Sequence, residues 1–184
     1  MKIETEATMY ELFILSKLLD GNYSAYKLKF VLEMVLGANR KMSFGVLYPL
    51  LDKLEKNQFV EMSDELDRRG KKLVRITDAG RERFQVLMRE PVKVCAHLDD
   101  IYQFKLLSLR FVDATLQKSI ISDYRAQKIA EKADYETHIH DLIEKHLGYT
   151  FYDQALQNYH LQLNLIETKL AWIDEIQDYY EKEN

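Results

Sequence analysis

The sequence predicts a mainly α-helical chain with one small β-hairpin, built in two parts. Three observations carry this reading. The 184 residues include only six Gly and two Pro, few for a fold made of strands and tight turns. Apolar residues recur at steps of three and four over most of the chain. A single window between residues 58 and 78 breaks that period and reads as two short strands.

Bulk composition narrows the class further. Hydrophobic residues make up 47% and charged residues 30%, as in ordinary globular domains. The single cysteine, Cys95, excludes an internal disulfide and suits a reducing compartment. Its neighbours Val94 and Ala96 suit a small apolar site better than a reactive thiol. MKIETEATMY carries acids where a secretion signal needs bases and a long apolar run. No stretch approaches the length of a membrane span. A cytoplasmic chain without membrane partners is expected. The net charge of -4 does not advertise nucleic acid. Residues 1–90, however, hold 16 Lys and Arg against 14 Asp and Glu, and residues 91–184 hold 10 against 16. A slightly basic half thus precedes an acidic one.

Taken in order, Thr8-Met-Tyr-Glu11 fits a capping box, with Thr8 as N-cap and Glu11 reaching back to it. The apolar run from Leu12 to Leu19 stops at Asp20-Gly21. A second helix spans about Ser24 to Leu36, with Leu28, Val31, Leu32 and Val35 on one face and Gly37 beyond its end. The third lies in SFGVLYPLLDKLEKNQFVE, with Ser43 as N-cap and Leu47, Leu50, Leu51 and Leu54 as its buried stripe. Pro49 interrupts the helical pattern, since it cannot donate to the carbonyl of Gly45 and its ring crowds that group. QFVEMSD and KKLVRITD then form a hairpin around the polar tip ELDRRG. The tip and second strand carry Arg68, Arg69, Lys71, Lys72 and Arg75. Thr77-Asp78 opens a further helix through about Arg89. Three helices followed by a basic hairpin constitute a winged helix-turn-helix. Its third helix is expected in the major groove and its wing on phosphates or the minor groove.

MSFGVLYPLLDKLEKNQFVE followed by RRGKKLVRITDAG resembles the PadR family of bacterial transcriptional regulators. The matches are Gly45, Leu47, Tyr48, Pro49, Leu51, Leu54, Glu55, Arg69, Gly70, Lys72, Ile76, Thr77 and Gly80. The resemblance implies a dimeric regulator, commonly a repressor, released from DNA by a small molecule or a change of state. Three positions depart from the family pattern: Val46 where Ser or Thr is usual, Ala25 where Gly is usual, and Leu73-Val74 where aromatics are usual. They bear on operator sequence and contacts, and leave the fold intact.

Ser43, Gly45, Tyr48 and Lys53 are the candidates for the groove and its phosphates. Tyr26, Lys27 and Lys29 on the second helix are placed to hold the backbone, and Arg68, Arg69, Gly70, Lys71 and Lys72 form the wing contact. Phosphate contacts supply most affinity and set position, while a few side chains read sequence.

Residues 1–90 are read as the DNA-binding domain and 91–184 as a helical dimerisation domain that also offers room for effector sensing, with Pro91 at the boundary. HLDDIYQFKLLSLRFVD is a short apolar helix, followed by long helices over about 114–147 and 150–181. In the last one Tyr152, Leu156, Tyr159, Leu163, Ile166, Leu170, Ile173, Gln177 and Tyr180 alternate at steps of four and three. That is a coiled-coil-like heptad seam. It can pack against the 114–147 helix or against a partner chain. Paired half-sites on DNA need a symmetric dimer, so Leu156, Tyr159, Leu163, Ile166, Leu170 and Ile173 are the dimerisation candidates. The resemblance extends to these long terminal helices. It implies an aromatic effector, for which Tyr102, Phe104, Tyr149, Phe151 and Trp172 offer stacking surfaces.

No Gly-rich phosphate loop, nucleophile elbow or zinc spacing occurs, so neither an enzyme nor a cofactor is expected. His138, His140 and His146 lie among acids, but residues two apart on a helix face different ways, which argues against a metal site. Two function classes remain: a dimeric DNA-binding regulator, or a winged-helix interaction adaptor that has lost specific DNA binding. The basic wing discriminates them, because only a DNA binder loses affinity steeply with salt.

Overall fold

In the computed structural model, residues 2–37, 40–67, 70–145, 148 and 150–183 are described. The chain forms two compact units, Met1–Val112 and Asp113–Asn184. The division falls later than Pro91. Residues 91–112 belong with the first unit because α5 (Leu98–Leu106) packs on α1 (Lys2–Leu18).

Helix α1 is the centre of the first unit, touching α2 (Ala25–Leu36), α3 (Phe44–Lys56), α4 (Asp78–Arg89) and α5. Its Phe13, Ile14, Leu15 and Leu18 are buried, and Phe13 meets Phe104 of α5 with ring centroids 5.0 Å apart. The capping box expected at Thr8 is not formed. Helix α1 begins at Lys2, so Thr8 lies inside it. Glu11 instead accepts a 2.7 Å hydrogen bond from Arg83 Nε of α4, and is buried there. That ion pair holds the Arg83 guanidinium above its ordinary pKa, chiefly through the bond to Glu11.

A three-stranded antiparallel sheet in the order β1-β3-β2 lies beside these helices. Strands β2 (Val60–Leu66) and β3 (Lys72–Ile76) form the expected hairpin, with Val60 opposite Ile76 and Met62 opposite Val74. The two-residue β1 (Tyr23–Ser24) adds an edge the sequence did not announce, pairing Tyr23 with Val74. At the hairpin base, Thr77 serves two elements at once. Its Oγ1 accepts from Gly80 N at 3.0 Å, capping α4, and donates to Gln58 O at 2.6 Å. Gln58 has φ 60°, so the sharp turn out of α3 is clamped by the start of α4.

The second unit is a hairpin of two 32-residue helices, α6 (Ala114–Lys145) and α7 (Tyr152–Glu183). They run antiparallel, since Arg125 pairs with Asp174 at 2.8 Å and Lys132 with Glu167 at 2.8 Å. The heptad seam of α7 faces α6 of the same chain. Tyr159 lies 6.0 Å from Tyr135 between ring centroids, and Ile166 and Ile173, on the same face, are 3% and 0% exposed.

Candidate nucleic-acid interface

The geometry of α3 follows from its sequence. Leu47, Leu50, Leu51 and Leu54 are buried, as their spacing requires. At 100° per residue, Gly45, Pro49, Asp52 and Lys56 then form the opposite, outward ridge, with Val46 and Tyr48 flanking it. Pro49 is tolerated inside the helix because the first turn closes without it: Val46 N and Leu47 N both donate to Ser43 O at 3.1 Å. The first two turns of the ridge are therefore Gly and Pro, side by side at the i, i+4 spacing. Neither carries a hydrogen-bonding side chain, and together they leave the backbone open to close approach.

A Cβ built on Gly45 would meet nothing nearer than Ser43 Oγ at 3.6 Å. Helical glycine costs about 1 kcal/mol relative to alanine, and outside its own helix no described atom crowds this position.

Aromatic rings line one flank of the ridge. Tyr26 of α2 stacks on Phe44 at 6.5 Å, and Phe44 on Tyr48 at 5.6 Å. All three are exposed on their outer sides, as are Phe30, Met34 and Val46. Sequence reasoning singled out Tyr26 and Tyr48 and noted Val46 only as a departure from the family pattern, but passed over Phe44, Phe30 and Met34. Their signal was present: they are apolar residues lying off the buried stripes of α2 and α3.

The cations divide into engaged and outward-facing groups. Lys29 is engaged, its Nζ bonded to Glu33 at 2.5 Å and lying 5.5 Å from the Phe44 ring. Glu33 Oε1 also accepts from Met42 N at 3.1 Å, tying α2 to the approach of α3. The Lys29 ammonium, with Met42 N–H, holds the Glu33 carboxyl below the usual carboxylate range. Lys27 lies over the Tyr23 ring at 4.5 Å and remains exposed, as do Ser43, Lys53, Lys71 and Lys72. Arg75 sits within the sheet beside Glu61 and Glu65, at 3.8 and 3.7 Å. At the wing tip Gly70 has φ 69° and donates to Asp67 O, while Asp67 Oδ1 accepts from Lys71 N at 2.9 Å. Arg68 and Arg69 lie outside the described residues.

The effector candidates fall in different units. Tyr102 and Phe104 are buried core residues of the first; Phe151 and Trp172 are exposed residues of the second, and Tyr149 lies outside the described residues. A cleft of about 430 Å³ opens in the first unit among Met9, Leu12, Leu87, Pro91, Ile101 and Lys105, and none of the five candidates lines it. Lys105 Nζ donates there to the carbonyls of Met88 and Glu90, at 2.9 and 2.5 Å. Among the described residues no group of three or more His, Cys, Asp or Glu is placed to hold a metal ion, and no helix is long and apolar enough to cross a membrane.

Of the six dimerisation candidates, Ile166 and Ile173 are buried inside the hairpin, while Leu156, Tyr159, Leu163 and Leu170 are half-buried. On the opposite side of α7, Leu161, Leu165, Trp172 and Tyr179 are exposed. At 100° per residue they form one narrow row about 27 Å long.

A three-helix unit whose third helix is exposed, followed by a two-stranded hairpin, defines a winged helix-turn-helix domain. Residues 14–86 match the family model of the "Transcriptional regulator PadR-like family". Over those residues the chain is similar to that family. Solved structures similar to it include Bacillus subtilis PadR in complex with operator DNA, at 19% identity over 89% of this chain and 98% of that one, TM-score 0.43. The same Bacillus subtilis protein in complex with p-coumaric acid gives 18% identity over 90% and 99%, TM-score 0.42. The PadR-like regulator BC1756 from Bacillus cereus gives 25% over 90% and 98%, TM-score 0.39. Comparison with curated proteins gave no match.

Proposed function

We propose that this regulator binds operator DNA as a homodimer, represses by occluding a promoter, and is released by a small-molecule effector. The observation that carries the reading is the Gly45–Pro49 stretch of the α3 ridge, an exposed helix surface with no polar side chain over its first two turns. Ser43, Gly45, Tyr48 and Lys53 face the groove in this reading. Tyr26 and Lys27 hold the backbone, Lys29 reaches it only on leaving Glu33, and Arg68, Arg69, Gly70, Lys71 and Lys72 meet the flanking phosphates.

Dimerisation rests on α7 being apolar on two opposite faces. The seam is largely consumed within the chain, so the row Leu161, Leu165, Trp172 and Tyr179 is the face left for a second copy. The half-buried Leu156, Tyr159, Leu163 and Leu170 lie on the opposite, seam face. Leu161→Glu with Leu165→Glu is expected to leave the hairpin helical and yield a monomer by sedimentation. A dimer that survives this change sinks the assignment of that face. The effector's place is the 430 Å³ cleft beside Lys105, which falls in the size range of small-molecule sites.

The decisive experiment is fluorescence anisotropy of the full chain on the DNA upstream of its own gene and on a scrambled duplex, at two salt concentrations. A preference of at least a hundredfold for the native fragment, weakening with salt, is expected. Equal, weak binding to both would leave the adaptor reading standing, because the exposed Phe30 and Met34 also suit a protein contact.

A further inference from the structure

We propose that α3 reads thymine through its 5-methyl group, using the apolar flanks Phe44, Val46 and Tyr48 on either side of the Gly45–Pro49 ridge. The inference deepens the DNA-binding reading above and rests on it.

Every base pair shows the major groove a pattern of donors and acceptors, and only thymine adds an apolar group, its C5-methyl. The exposed residues of the first two turns of α3 are Phe44, Gly45, Val46, Tyr48 and Pro49. Tyr48 alone among them has a polar side-chain atom. Val46 is 49% exposed, Tyr48 48% and Phe44 38%, so each keeps an open apolar side. Over these two turns only the Tyr48 hydroxyl is available to tell guanine, adenine or cytosine apart by hydrogen bonds. The same surface is well supplied to detect a methyl group.

Two features make this a built surface. The Tyr26–Phe44–Tyr48 stack fixes the rings, and Lys29 caps the Phe44 face at 5.5 Å. Rigid rings lose little entropy on contact, so their apolar area converts efficiently into discrimination. In its first two turns the ridge between the flanks carries only a glycine and the compact proline ring, which lets the helix approach the groove floor and brings Val46 within reach of the base edges. The exposed Lys27, Lys53, Lys71 and Lys72 on the same helices and wing provide the charge that selects a DNA duplex as occupant.

The test begins with selection of bound duplexes from a random-sequence pool by the full chain, followed by replacing each thymine of the winning duplex with deoxyuridine. Uracil pairs identically and lacks only the methyl. Affinity is expected to fall roughly three- to tenfold at each thymine that is read. In Val46→Ala the penalty at one of those thymines should shrink, because most of the partner's apolar surface has been removed. Deoxyuridine duplexes that bind as tightly as thymine ones overturn the inference while leaving the regulator reading intact. So does a penalty that persists undiminished in Val46→Ala, Phe44→Ala and Tyr48→Ala, which would assign the methyl effect to DNA shape. Failure to enrich any sequence defeats the regulator reading itself, and this inference with it. Should a second copy cover this face instead, Val46→Asp would change the oligomeric state without DNA, which also defeats the inference.

Discussion

Two glycines, each near the start of a helix in the first unit, occupy opposite situations. At the joint between β3 and α4, a Cβ on Gly80 would stand 2.0 Å from the carbonyl oxygen of Phe59 and 2.8 Å from Ile76. On the outer ridge of α3, a Cβ on Gly45 would meet only a serine hydroxyl at 3.6 Å. Both belong to the signature by which the family was recognised. The inner region is glycine because the chain has no room for more. The outer region has room and is still glycine. A motif residue therefore reports on the fold or on something beyond it, and only the surroundings of the side chain tell which.

The comparison breaks most readily at Gly80. Replacing it with alanine forces a methyl group into main-chain atoms that cannot swing aside, unlike a flexible side chain. A loss of about 3 kcal/mol or more is expected for such overpacking, or roughly 12 °C or more in the melting temperature of the unit. Thermal unfolding by circular dichroism measures it directly. An unchanged melting temperature would mean that the joint yields, and that the two glycines differ less than their surroundings suggest.

Gly45→Ala sharpens the contrast by changing sign. Alanine restores helix propensity at an exposed position, so stability should rise by up to about 1 kcal/mol. The same methyl would intrude on the outer ridge, and affinity for a selected duplex should drop at least tenfold. Stability and binding moving in opposite directions is the signature of a residue kept for a partner. If both improve or both worsen, Gly45 is a feature of folding after all.

How much of this could be read before any coordinates depends on the range of the interaction. Ser43 and the four leucines of α3 were legible because helical spacing alone buries one face. The hairpin was legible from its change of period, and Thr77 as the start of α4 from a local cap. Longer-range partnerships were not. Thr8 and Glu11 carry the capping-box pattern, yet Glu11 is taken by Arg83, 72 positions later, and no local rule anticipates that. Strand β1 has two residues and no alternation to announce it; it exists because β3 offers an open edge. The seam of α7 shows which face is apolar, but a period cannot name the chain that covers it. The row from Leu161 to Tyr179, spaced at four, seven and seven, is sparser and went unread beside the stronger seam. Lys29 and Glu33 stand four apart, a spacing that already hinted at the pairing.

That last pair supplies the smallest and most local test of the boundary between inner and outer regions. Glu33 joins Lys29 and Met42 N, so one carboxylate both anchors the approach to α3 and occupies a cation that DNA could use. Its folded-state pKa lies below the ordinary value of 4.5. A depressed carboxylate stabilises the fold at pH above its unfolded value, and that contribution disappears as pH falls through the folded value. Glu33→Gln should therefore lower the urea midpoint slightly at pH 7, with the difference closing once the solution is acidified well below pH 4.5. At neutral pH the freed Lys29 should add about one phosphate contact, steepening the logarithmic salt dependence of DNA binding by about 0.9. A slope that does not move would show that Lys29 stays on the Phe44 ring and belongs to the inner region, leaving Lys27, Lys53 and the wing to hold the backbone.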